Sequence, residues 1–169
     1  SGDTTEDVLA RLESDVLSRD PSVVILLVGG NDILQRAYAD AIEADGNETF
    51  LDEIINAILR LFGKIPDDPD AISEDETFEN IQTMVERIQA TGALVILVGI
   101  EGKPFENDLS LRYEMVAAQT STFFVPDVLD GLIGRPQYMS DLVHPNNEGY
   151  DIVARRIFAA YACVPGVED

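Results

Sequence analysis

The stretch Val23-Val24-Ile25-Leu26-Leu27-Val28-Gly29-Gly30-Asn31-Asp32 decides the fold. Its first six residues are apolar and four of them β-branched, with Pro21 before them and a glycine pair after. A short continuous apolar run between turn signals reads as a strand buried on both faces, the pattern of a parallel sheet. A second run of the same kind, Leu94–Val98, and a shorter one, Phe123-Phe124-Val125-Pro126, follow later in the chain.

Between the runs the period changes from strand to helix. Upstream, Val8, Leu9, Leu12, Val16 and Leu17 recur on one helical face, with Asp3 or Thr4 as cap, Glu6 and Asp7 in the first turn, and Asp20-Pro21 as the stop. Downstream, a helix is expected from about Ile33 to Ala44. A second takes Phe50, Ile54, Ile55, Ile58, Leu59 and Phe62 on one side. Lys64–Glu76, with two prolines and many carboxylates, reads as a solvated loop; its spacing does not match a calcium-binding EF-hand loop. Phe78, Ile81, Met84, Val85 and Ile88 mark the next helix, closed by Gly92. Leu109–Gln119 and Asn147–Tyr161 are the last two. Strands alternating with helices give an α/β fold with parallel strands and right-handed crossovers.

Composition narrows the function. The 169 residues fit one domain, 46% apolar and 25% charged, as ordinary globular chains are. Eleven Lys and Arg face 32 Asp and Glu, a net charge of −21, and such a field repels phosphate backbones and anionic lipid heads. Nucleic acid is therefore not an expected partner. No apolar run approaches the roughly 20 residues needed to cross a bilayer. A single cysteine, Cys163, excludes an internal disulfide, and a single histidine, His144, argues against a zinc site. No Gly-x-Gly-x-x-Gly or Walker loop marks a nucleotide site.

In doubly wound sheets, sites lie just beyond the carboxyl ends of the strands. Two polar clusters fall there. In Gly29-Gly30-Asn31-Asp32 the glycines permit tight backbone, and the Asn31 side-chain NH₂ can meet a developing negative oxygen; a plain strand-to-helix turn with Asn or Asp as cap is the other reading. In Asp141-Leu142-Val143-His144-Pro145-Asn146 the carboxylate can fix the imidazole tautomer so that the other ring nitrogen acts as a general base. The alternative is an idle surface histidine near an acid.

Taken together, these clusters resemble the SGNH (GDSL-type) hydrolases, a family of esterases and lipases. Ser1-Gly2-Asp3-Thr4-Thr5 is similar to the family's second block, Gly29–Asp32 to its third and Asp141–His144 to its last. The leader Arg135-Pro136-Gln137-Tyr138-Met139 and the helix start Pro145-Asn146 resemble the branch with bacterial arylesterases, thioesterases and lysophospholipases. The resemblance implies a flavodoxin-like α/β/α sandwich on a parallel sheet. It also implies a small ester substrate, acyl transfer without a metal or organic cofactor, and a periplasmic or secreted location. His144 is then the base, Asp141 its orienter, and Gly2 N–H with Asn31 the oxyanion hole. Residues 38–76 stand outside the resemblance and read as an insertion, Leu142 and Tyr138 as apolar neighbours of the site.

The first block of that family, a Gly-Asp-Ser-Leu-like segment with the nucleophile, has no counterpart in these residues, nor has a Gly-x-Ser-x-Gly elbow. The chain opens at Ser1 without an initiator methionine or signal peptide. Its N-terminal strands and the nucleophilic serine are therefore expected outside it. Ser1 adjoins the oxyanion glycine instead of lying in line with His144 and is not expected to substitute. By the same resemblance the family sheet has five strands, so the strand at Val23–Val28 is expected to show an unpaired edge. Such an edge invites aggregation unless a missing N-terminal segment or a second copy of the chain covers it. The competing class is a family relative without the nucleophile that binds a ligand and performs no chemistry.

Overall fold

The first helix shows how closely local chemistry sets the architecture. In the computed structural model, which describes residues 2–43, 72–101, 109–141 and 143–162, α1 (Thr5–Asp15) starts at the N-cap Thr4. The Asp7 N–H donates to Thr4 Oγ1 at 3.3 Å and Thr4 N–H donates back to the Asp7 carboxylate at 3.0 Å. This is a capping box with aspartate in the glutamate position. A 3₁₀ turn, Leu17–Arg19, follows, and Asp20 takes the left-handed conformation (φ 52°) just before Pro21.

β1 (Val23–Leu26), β2 (Leu94–Val98) and β3 (Phe123–Val125) form a parallel sheet in the order β1-β2-β3. Val23 is level with Leu94, and Ile25, Ile96 and Phe123 share one row. The connecting helices are α2 (Gly30–Glu43), α3 (Glu74–Ala90), α4 (Leu109–Thr120) and α5 (Asn147–Tyr161). The α/β class and parallel sheet are as expected. The helix over Phe50–Phe62, the loop up to Ala71, Ser1, Leu142 and the tail Cys163–Asp169 lie outside the described residues.

Two boundaries move. α3 begins at Glu74, with Ser73 Oγ accepting the Glu76 N–H at 3.2 Å, so the last acidic residues of the expected loop form a helical first turn. Carboxylates there complement the positive end of the helix dipole, which a loop reading of an acidic run overlooks. α2 begins at Gly30, so Asn31 and Asp32 sit in its first turn and not in a loop ahead of it.

The core lies where α3 and α4 pack on the sheet and α1 packs on α3. Leu12, Ile81, Met84, Val85 and Ile88 are buried there with Val95 and Leu97. Burying each such side chain contributes about 1.5–3 kcal/mol. α5 packs on β3. β1 departs from expectation: Leu26 and Val28 are buried, but Ile25 is 54% and Leu27 48% exposed. The strand is half-buried because, among the described residues, it pairs with β2 alone.

Candidate functional site

At the end of β1 the chain turns sharply. Gly29 has φ +103°, and a Cβ there would lie 2.6 Å from the Tyr113 hydroxyl, so both conformation and space require glycine. Tyr113 Oη donates to the Val28 carbonyl at 2.5 Å. The Ile33 N–H then bonds the Gly29 carbonyl at 3.2 Å and starts the helical ladder of α2. Asn31 is thereby carried to the rim of a pocket of about 360 Å³.

The Asn31 carboxamide is held by its own bond. Nδ2 donates to the Asp3 carbonyl at 2.7 Å, leaving the second N–H of the amide available. Gly2, one residue earlier, has φ +88° and lines the same pocket as Asn31. The neighbouring Asp32 is fully buried. Both of its oxygens accept the Thr5 N–H at 3.0 Å, and Oδ1 also takes the Thr5 hydroxyl at 2.5 Å. Burial pushes the Asp32 carboxyl above its ordinary range, against the opposing pull of the Thr5 hydrogen bonds.

His144 lines the same pocket from the segment before α5. Its Nδ1 is 2.9 Å from Asp141 Oδ2, while Asp141 Oδ1 accepts the N–H groups of Val143 at 2.9 Å and His144 at 2.8 Å. Partial burial works to raise the Asp141 carboxyl, but the Val143 N–H, the His144 ring and the His144 N–H outweigh it and hold it below the usual carboxylate range. An ionised Asp141 fixes the tautomer with the proton on Nδ1, which leaves Nε2 free as a base.

The loop that carries this pair is fastened at several points. The Ser140 N–H bonds the His144 carbonyl at 2.8 Å, and the Asn146 N–H bonds the Tyr138 carbonyl at 2.8 Å. Asn146 also caps α5, its Oδ1 accepting from Glu148 and Gly149. A Cβ on Gly149 would run into the Tyr138 carbonyl oxygen, so helix and loop are in close contact.

Three of the four residues singled out from sequence, Gly2, Asn31 and His144, thus line one pocket, and Asp141 orients the third. Tyr138 is not among the lining residues; its carbonyl accepts the Asn146 N–H. The wall is mainly apolar, with Leu34, Ile100, Val128, Leu129 and Val153 among its residues. No described lining residue bears a serine, threonine or cysteine side chain. Among the described residues no three His, Cys, Asp or Glu side chains cluster to hold a metal, and no helix is long and apolar enough to cross a membrane. Sequence reasoning missed Thr5 and Tyr113: an ordinary threonine and a tyrosine inside an amphipathic helix carry no local signal of contacts 27 and 85 residues away.

Comparison with known proteins gives a consistent result. Residues 1–152 match the GDSL-like Lipase/Acylhydrolase family. The Esterase TesA of Pseudomonas aeruginosa is 29% identical over 151 residues, which are 86% of this chain and 58% of that protein. The chain therefore spans less than two thirds of that relative. A crystal structure of TesA superposes with a TM-score of 0.68 at 25% identity, covering 95% of this chain and 73% of that one. A GDSL-like lipase of Bacteroides thetaiotaomicron gives a TM-score of 0.65 at 26% identity, covering 97% and 74%.

Proposed function

Because this chain belongs to the GDSL-like lipase/acylhydrolase family, we propose that it supplies the base and the oxyanion-binding side of a serine-type carboxylic ester hydrolase. The nucleophilic serine comes from polypeptide outside these 169 residues. The observation that carries this reading is the His144–Asp141 pair at 2.9 Å on the same pocket as Asn31 and Gly2. Folding alone has no need of that convergence.

In this mechanism a serine hydroxyl attacks the ester carbonyl as His144 Nε2 takes its proton, and Asp141 stabilises the imidazolium. The carbonyl oxygen, now negative, is met by the free N–H of Asn31 and the backbone N–H of Gly2. The intermediate collapses, His144 returns the proton to the departing alcohol, and water repeats the cycle on the acyl-enzyme. The substrate is a small carboxylic ester, and neither metal nor organic cofactor takes part. The segment that brings the serine also covers the free edge of β1, where Ile25 and Leu27 are exposed. Residues 38–76 are an insertion into the single domain, entered from α2 and left into α3.

A fluorophosphonate probe tests the reading by intact mass of the full-length protein. One adduct, lost in His144→Ala, is the expected result. The second reading is a family relative without the nucleophile that binds a ligand and performs no chemistry. A full-length protein that takes no adduct establishes that reading instead.

A further inference from the structure

The cap residue Thr4 accepts the Asp7 N–H of α1 and leaves the buried Thr5 N–H, which has no intrahelical partner, to an acceptor from elsewhere. Asp32 supplies it from α2, with both oxygens on the Thr5 N–H and one on the Thr5 hydroxyl. Thr5 and Asp32 are both fully buried. Asn80 of α3 completes the group, its Nδ2 donating to Thr5 Oγ1 at 3.3 Å, so the hydroxyl is at once donor and acceptor and has one orientation. A buried carboxylate is costly unless hydrogen-bonded, and this one is spent on a single threonine.

The position of that threonine gives the arrangement its meaning. Asn31 and Asp32 are consecutive, and they grip residues 3 and 5 respectively: Asn31 takes the Asp3 carbonyl and Asp32 takes Thr5. Gly2 adjoins the gripped stretch. We propose that the buried Asp32–Thr5 clamp is a positioning device that holds the Gly2 loop in register with the Asn31 carboxamide, so that the two oxyanion donors converge on one point. The clamp touches no substrate; it acts through the residues beside it. This rests on the proposed ester hydrolysis, since only there do the two donors share a ligand.

The two threonine variants separate geometry from bulk. Thr5→Val keeps the shape and removes the hydroxyl, whereas Thr5→Ser keeps the hydroxyl. In the full-length protein, Thr5→Val is expected to lower kcat about 10- to 100-fold with KM within about twofold, and Thr5→Ser to restore most of it, because small misplacement of catalytic donors has effects of this size. His144→Ala runs beside them. If His144→Ala keeps its turnover, the hydrolase reading fails; if it loses turnover while Thr5→Val stays at the wild-type kcat, the clamp proposal fails alone. A measurement free of turnover uses ¹⁵N NMR on the same proteins. Thr5→Val and Asp32→Asn are expected to move the Asn31 carboxamide and Gly2 amide signals and hasten their exchange, with Thr5→Ser near wild type. Unmoved Asn31 and Gly2 signals in a folded Thr5→Val overturn the proposal whether or not the protein is an enzyme.

Discussion

Tyr113 Oη donates to the Val28 carbonyl at 2.5 Å, from a ring 85 residues away that is fully buried and meets Phe78 edge-on at 5.0 Å. The bond closes off the last carbonyl of the apolar run and occupies the space where a side chain at position 29 would stand. Its phenol is pushed well above the ordinary range by burial, with the Asp32 charge adding to the shift, so it is a protonated donor at neutral pH. The turn that delivers Asn31 is thus held from outside its own sequence.

Tyr113→Phe leaves the Val28 carbonyl without this donor, and an unsatisfied buried acceptor costs about 1–3 kcal/mol. Gly29→Ala is expected to be worse. It combines the cost of a left-handed residue, about 1–2 kcal/mol, with a contact at 2.6 Å against a ring that packing holds in place. Urea unfolding midpoints of the two variants measure the order. A Gly29→Ala protein as stable as wild type contradicts the packing described.

Asn31→Ala removes one of the two proposed oxyanion donors. Loss of such a donor lowers turnover about 10²–10³-fold, because the bond strengthens only as charge develops. Steady-state kinetics on a small ester should therefore show a fall in kcat with little change in KM. A raised KM with kcat unchanged assigns Asn31 to substrate binding only.

The elements most legible in the sequence were those fixed by their own residues. The start of α5, Asn147–Tyr161, was readable from Pro145-Asn146, and β2, Leu94–Val98, from its apolar run. The burial of β1 was misjudged, because a run of apolar residues records what a strand can bury and not which neighbours it has. His144, Asp141, Gly2 and Asn31 were singled out because their order and spacing resemble the family's blocks. Thr5 and Tyr113 were not, since their partners are set by tertiary packing.

Asp141→Asn tests the orientation of the base. An amide at this position presents only one oxygen where the carboxylate uses two, one for Nδ1 and one for the Val143 and His144 N–H groups. The imidazole then loses its fixed tautomer. Turnover should fall about 10²–10⁴-fold, the range assigned to a positioned base. The native carboxyl lies below its unfolded value, so its contribution to stability is present above pH ~4 and lost as pH falls through the folded pKa. Acid unfolding followed by circular dichroism should begin at higher pH in Asp141→Ala than in wild type.

Asp32 has the opposite sign. Its folded pKa is raised by burial, so between the unfolded value near ~3.9 and the folded one the native state binds the extra proton. This group therefore favours folding on the acid side of that window, and the benefit is lost as pH rises through the folded pKa. Asp32→Asn removes the titration, and its stability should change less steeply with pH across the window than that of wild type. Paired urea titrations at several pH values read the difference directly. Parallel wild-type and Asp32→Asn curves there mean that the carboxyl is not shifted upward, and that its hydrogen bonds from the Thr5 N–H and hydroxyl fully offset its burial.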